Sequence, residues 1–245
     1  MHITLSSLPV DCMPRSSAYV AGVWFLRWLP ILLIIGVAWT IELVVPPFHR
    51  YFSPADPSIS YPHQSYDTVP PWALFVISLA VPLVIISSIS ILLKLGWRDA
   101  HEYILGLCAA FAFNALFTHI VKVTVGRHRP DWLDRCHAVT NNPGSTLSYT
   151  TVVLLDTSVC QPIVPLPVYY DGMKSFPSGH SSYSFAGLVF LSFYLYTKLR
   201  NFPSPYNTTF RPMICILPVI GAMLVAISRV CDYRYIFYLE ISTVD

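Results

Sequence analysis

Three short clusters hold residue types suited to gripping a phosphoryl group. Lys122 is followed seven residues later by Arg129-Pro130, then come Pro177-Ser178-Gly179-His180, and Ser228-Arg229 is third. Lysine offers a compact ammonium, and arginine offers a planar fork that holds two phosphate oxygens. Ser178 is a residue type that caps helix starts, and Gly179 permits close backbone approach. Exposed N–H groups at such a start favour an anion. His180 can give a proton to a leaving alkoxide. Each cluster alone has a plainer reading. A basic pair can snorkel to lipid headgroups, and a serine cap can precede an interfacial histidine. The joint reading gains weight only if the clusters share one side of a membrane.

The remainder of the chain has the composition to hold them there. Of 245 residues, 54% are hydrophobic and 11% charged, and the mean hydropathy is +0.55. Soluble domains average about a quarter charged residues. The net charge of +2 is too small to suggest a nucleic-acid partner. Apolar runs predict five spans, at about 28–45, 70–93, 103–121, 181–197 and 212–228. Pro46-Pro47 ends the first, and Pro82 is placed to kink the second. Lys94–Glu102 reads as a charged turn, and Lys198–Arg211 as a polar connection. Pro130 predicts that the third helix stops at or before Arg129.

Glu42 reads most simply as interfacial, and Asn114 and His119 as interhelical hydrogen-bonding groups. None of the six cysteines forms a C-x-x-C pair, so neither a zinc site nor a thioredoxin motif is supported. Cys136 and Cys160 share the long hydrophilic segment 122–180. Spacing fits a disulfide and two free thiols equally. No cleavable signal is expected, because Asp11 and Arg15 interrupt the N-terminal stretch. Arg15, Arg27, Lys94, Arg98, Lys198, Arg200 and Arg211 fall on one predicted side. The positive-inside rule makes that side and the N-terminus cytosolic. Segment 122–180 then faces the lumen or exterior. The sequon at Asn207-Thr208-Thr209 is cytosolic and is expected to stay unmodified.

In their order and spacing the three clusters resemble the type 2 phosphatidic acid phosphatase family, the lipid phosphate phosphatases, and within it the fungal diacylglycerol pyrophosphate phosphatase branch. Its first motif, Lys, six residues, Arg-Pro, matches Lys122, Arg129 and Pro130; Pro-Ser-Gly-His matches Pro177–His180; the third opens on Ser228-Arg229. The segment Val45–Arg50 is similar too. The resemblance implies an all-α integral membrane bundle, phosphatidic acid phosphatase/haloperoxidase-like, with five of the family's six spans. It implies a membrane-embedded phosphatase-like domain at 28–234, after a cytosolic segment 1–27. It further implies metal- and cofactor-free hydrolysis of phosphatidate, lysophosphatidate or diacylglycerol pyrophosphate through a phosphohistidine. Lys122, Arg129, Ser178, Gly179 and Arg229 would bind the substrate phosphate. His180 would be the general acid, with Arg129 and Arg229 stabilising charge. The partners implied are a lipid phosphate and the bilayer; no oligomeric state follows.

One departure is sharp. The family's third motif continues with a nucleophilic histidine and an aspartate that orients it. Those positions hold Tyr235 and Leu239 here, and no histidine follows His180. The tail 235–245 is therefore expected to be atypical, as in a truncated or altered product, and turnover is expected to be impaired. A non-catalytic lipid-phosphate binder is the alternative. A transporter component has only Glu42 and His119 to line a path, and the haloperoxidases that share the anion-site pattern are soluble.

Overall fold

The computed structural model describes residues 17–62, 67–137, 153–161, 164–200 and 207–232. Tyr235, Leu239 and the rest of the tail lie outside the described residues. Among those described, the backbone is helical. An isolated antiparallel bridge joins Phe52 and Leu155. Five long rods make the bundle. They are α1 (Ser17–Val44), then α2 (Pro71–Phe75) continuing into α3 (Val81–Leu92), then α4 (Trp97–Val125), α7 (Gly179–Arg200) and α8 (Asn207–Cys231). Two short helices, α5 (Trp132–Cys136) and α6 (Leu166–Asp171), lie between α4 and α7.

Among the described residues four segments are long and apolar enough to cross a membrane: Trp24–Val44, Pro71–Leu92, Trp97–Val125 and Phe210–Cys231. A bilayer offers no partner to an open backbone, so apolar runs of this length become helices. The chain is a multi-pass membrane protein. The expected span at 181–197 is also a helix, α7, but it is not among those four. Its serines and tyrosines are answered inside the bundle. Ser184 Oγ donates to Ser181 O at 3.0 Å and Tyr194 OH to Ile86 O at 3.3 Å, while Ser192 Oγ bonds to Cys215 O. Helix α7 packs against α3, α4 and α8. Ser184, Gly187, Leu188, Leu191 and Tyr194 are its buried face, at the spacing of one helical stripe. Leu188, Leu191 and Tyr194 share a core with Ile86, Leu107 and Ala222.

Pro82 acts on this packing. It has no N–H to bond the carbonyl of Ser78, four residues back. A π-helical turn at Val76–Ala80 takes up the mismatch. The Ser78 carbonyl meets α7 at Gly187, where an added Cβ would stand 1.8 Å from that oxygen.

Several expected boundaries move. Trp97–Glu102, read as a turn, is the first part of α4. Gly96, at φ 86°, reverses the chain, and Asp99 in the first turn suits the positive helix start. Its neighbours are paired as well: Arg27 forks onto Glu102, and Lys198 Nζ reaches Asp99 at 2.5 Å. Asn207–Arg211, read as connection, begins α8. Ser17–Arg27, expected before the first span, belongs to α1.

Between α4 and α7 the described chain builds a small unit of its own. Phe52, Ile59, Trp132, Cys136, Tyr169 and Met173 form a second apolar core. Cys136 and Cys160 are joined, with Cα atoms 4.8 Å apart. Of the two readings open from spacing, the structure has the disulfide.

The contact at Gly187 sets the first expectation. Gly187→Ala forces its Cβ into the Ser78 backbone, an overpacking that costs about 1–3 kcal/mol. At Gly221 the nearest neighbour is a leucine methyl 3.6 Å away, so Gly221→Ala is tolerated. Thermal unfolding of purified variants in detergent checks the pair. A lower midpoint for the first substitution alone is expected.

Candidate active site

Lys122 lies on the last turn of α4, which stops at Val125 rather than reaching Arg129. Gly126 is the left-handed cap at φ 56°. The position admits no side chain, because a Cβ would stand 2.0 Å from Phe48 O. The segment after Pro46-Pro47 docks there. Phe48 N donates to Val123 O at 2.8 Å, and Arg50 Nε donates to Val125 O at 2.6 Å. These bonds satisfy carbonyls that a helix end otherwise leaves open.

Beyond Gly126 the chain pairs with the stretch before α7. Ser175 N donates to Arg127 O at 3.0 Å, and Arg129 N donates to Gly172 O at 2.8 Å. That pairing sets Arg129 beside the run leading to Ser178. Ser178 caps α7 as expected, its Oγ accepting from Ser181 N at 3.2 Å. Arg229 is on the last turn of α8 and is buried. Its Nη1 lies 3.2 Å from Asp67 Oδ1 and 3.3 Å from Asp232 Oδ2. Asp232 also accepts from Thr68 N at 3.0 Å and bonds Thr68 Oγ1. His180 Nε2 donates to Val69 O at 3.0 Å. The short 67–69 turn therefore holds both Arg229 and His180.

Lys122, Arg129, Ser178, Gly179, His180 and Arg229 all line one cavity of about 500 Å³. Most of its cations have counter-ions. Arg129 Nη2 donates to Asp171 Oδ1 at 2.6 Å, and Arg135 pairs with Asp131 at 2.7 Å. Lys122 differs: among the described residues its Nζ has neither an ion pair nor a hydrogen bond. A Cβ placed on Gly179 would lie 3.6 Å from that Nζ, so the ammonium faces the start of α7. His128, adjacent to Arg129, does not line the cavity. Burial, with Arg50 nearby, holds its pKa down at about 4, and its ring stacks on Trp132.

The sequence reading passed over Asp67, Arg135, Asp171 and Lys174, which also line the cavity. Asp171 and Lys174 stand just before the Pro-Ser-Gly-His run. The density of charge there was the available signal. Glu42, read as interfacial, turns inward to His119 and Lys174. His119 is an interhelical hydrogen-bonding group, as expected. Asn114 Nδ2 is buried without a hydrogen-bond partner.

Comparison with known proteins adds an independent finding. The family model described as the PAP2 superfamily matches residues 103–238, more than half of the chain. "Diacylglycerol pyrophosphate phosphatase 1" of Saccharomyces cerevisiae is 38% identical over 78% of this chain. "Lipid phosphate phosphatase 2" of Arabidopsis thaliana is 36% identical over 84% of the chain and 67% of its own length. A Dictyostelium discoideum protein of the "PA-phosphatase related-family" is 34% identical over 91% of the chain and 77% of its own length. The chain spans 64% of the yeast relative's length, just under two thirds. No solved structure matches. Three ordered motifs lining one cavity, a match over more than half of the chain and relatives at this identity lead to one conclusion: the chain belongs to the PAP2 superfamily.

Proposed function

We propose that the cavity binds the phosphate of a membrane lipid and that the chain is built as a lipid phosphate phosphatase, with turnover limited at position 235. The observation that carries this reading is the ammonium of Lys122. Glu42 and Asp171 are near it, but among the described residues none pairs with it directly, and it faces a cavity shared with Arg129, Arg229 and the capped start of α7. Phosphoryl transfer needs mainly charge stabilisation and an in-line nucleophile. Lys122, Arg129 and Arg229 bring the positive charge that a metal ion supplies in other phosphatases. The backbone at Ser178–Gly179 brings N–H donors at a helix start. His180 Nε2 is held by Val69 O. Burial, with Arg229 beside it, lowers the pKa of His180 to about 4, so the ring is neutral in the empty cavity. An entering phosphate dianion favours protonation of Nδ1, and that is the proton the ring gives to a leaving alkoxide. Phosphatidate, lysophosphatidate and diacylglycerol pyrophosphate all present the required phosphate. The printed names of the relatives support that class.

Position 235 tempers the reading. The family scheme puts a histidine nucleophile there and an aspartate at 239; this chain has Tyr235 and Leu239. A phenol with an ordinary pKa near 10 is mostly protonated at neutral pH and attacks phosphorus poorly without an adjacent base. The same site without an imidazole is a lipid-phosphate binder, and Tyr235 is what favours that second reading.

Two expectations follow from these arguments. The purified chain should bind vanadate or phosphate yet release phosphate from phosphatidate slowly, and Arg129→Ala should abolish the binding. Tyr235→His together with Leu239→Asp should raise turnover by roughly a hundredfold or more, and Tyr235→His alone by less. Calorimetric titration measures the binding, and metal-free phosphate release measures the turnover. Rapid turnover by the unaltered chain, lost in Arg129→Ala, would mean that another nucleophile serves.

A further expectation concerns sidedness. Lys94, Arg98, Lys198, Arg200 and Arg211 lie at or near helix ends opposite the cavity, and Arg27 lies inside α1 paired with Glu102 towards that same side, which supports a cytosolic location for it. The Cys136–Cys160 disulfide supports an oxidising compartment on the cavity side. In sealed vesicles of known orientation, protease should cut the Lys198–Arg211 connection only from the cytosolic face. Glycan on Asn207 would contradict this orientation.

A further inference from the structure

Glu42 is a single carboxylate near the end of α1, yet two other parts of the chain bond to it and a third follows. His119 Nδ1, on α4, donates to Oε2 at 2.6 Å. Lys174 Nζ, from the segment before α7, donates to Oε1 and to the Glu42 carbonyl, each at 3.1 Å. Tyr183 OH, on α7, donates in turn to His119 Nε2 at 3.4 Å. Glu42 is therefore oriented on both sides, and it fixes where Lys174 Nζ sits.

Lys174 does not stop at this pair. Its side chain is 8% exposed and lines the same cavity as Lys122, Arg129 and Arg229. An ammonium has three N–H donors arranged as a tripod. Glu42 occupies two of them, and the third has no partner among the described residues. Lys174 stands four residues before Ser178 on the stretch that pairs with Arg127 and Arg129. Its backbone is thus fixed relative to the groups that close around the cavity. A lysine serving only as a strut to α1 would need no frontage on the cavity.

We propose that Lys174 is a further ligand of the bound phosphoryl group, donating its third N–H to a phosphate oxygen while Glu42, held by His119, balances its charge. Glu42 is then the counter-ion that keeps Lys174 buried when the cavity is empty, and it competes with an entering anion for the same ammonium. A dianion entering the cavity meets Lys122, which has no hydrogen bond or ion pair among the described residues, and Lys174, whose charge it shares with Glu42. This assignment rests on the phosphate reading above and adds a residue to it.

A strut and a ligand respond differently to two substitutions. Both Lys174→Gln and Glu42→Gln break the ion pair, but only the first removes the cation. Calorimetric titration of the purified full chain in detergent, with inorganic phosphate and with orthovanadate, separates them. Lys174→Gln should weaken binding roughly ten- to a hundredfold, the scale of a hydrogen bond to a charged group. Glu42→Gln should leave it unchanged or tighter, because the amide oxygen and the backbone carbonyl of residue 42 still accept from Lys174 Nζ while the competing negative charge is gone. Equal weakening by both substitutions would overturn the assignment and make Lys174 a strut. So would a Lys174→Gln chain that binds within about twofold of the original, well below that hydrogen-bond scale. Should Lys174→Gln fail to fold, Glu42→Gln still decides: weaker binding overturns the assignment, and equal or tighter binding supports it. An unaltered chain that binds neither anion would overturn the phosphate reading and this assignment together. Failure at Lys174 with Arg129→Ala still abolishing binding removes the assignment alone.

Discussion

Two backbone hydrogen bonds, Ser175 N to Arg127 O and Arg129 N to Gly172 O, decide where the functional groups meet. They join stretches more than forty residues apart in sequence, and closing such a loop carries an entropy cost that grows slowly with length. Several features offset it. Cys136 and Cys160 are linked, Trp132 and Met173 are fully buried, and Tyr61 N bonds Pro130 O at 2.9 Å. The segment 46–62 is part of the same construction, since it docks on the end of α4 and lends Phe52 and Ile59 to the small core. Without that core, Lys122 on α4 and Ser178 before α7 would be tied only through the membrane helices.

Gathering five cations around one cavity raises a second problem. Like charges repel, and burying any of them is costly unless it is paired. The solution differs at each residue. Arg135 is buried against Asp131 and donates to Val168 O at 2.6 Å. Arg129 leans on Asp171, Arg229 on Asp67 and Asp232, and Lys174 on Glu42. The acidic residues come from α1, from the 67–69 turn, from the α5–α6 unit and from the end of α8. Assembly of the cationic cavity is thus inseparable from assembly of the bundle. Among the described residues Lys122 has Glu42 and Asp171 near it but no direct ion pair, so a ligand can bond it without breaking one.

The cations were legible in the sequence because they sit in ordered motifs at helix ends. Their counter-ions were not. Nothing local marks Asp67 or Asp171 as facing an arginine, since each contact crosses between distant segments. Glu42 misled for a related reason: a carboxylate near a span's end has an obvious exit to the interface, and only tertiary packing shows His119 and Lys174 waiting inside. The spans were found by apolarity, and 70–93 matches its rod within a residue at each end, but the other four were drawn shorter than the helices that carry them. Asp99 and Glu102 read as turn residues until Lys198 and Arg27 are seen to pair with them. Helix α7 was recognised despite its serines. Their hydrogen bonds to the bundle explain why a helix of modest hydropathy holds the central place.

Helix polarity unites the cations with the bundle. Lys122 and Arg229 each occupy the last turn of a helix, α4 and α8, where the negative end of the macrodipole favours a cation. Gly179 and His180 begin α7, whose positive end favours an anion. Three helix ends thus converge on one cavity, two already matched by side chains and one not. An anion among them completes the third end and neutralises Lys122 in the same step. The two cations therefore have reasons to stand where they do before any ligand arrives, and a phosphate-sized anion exploits positions the helices already favour.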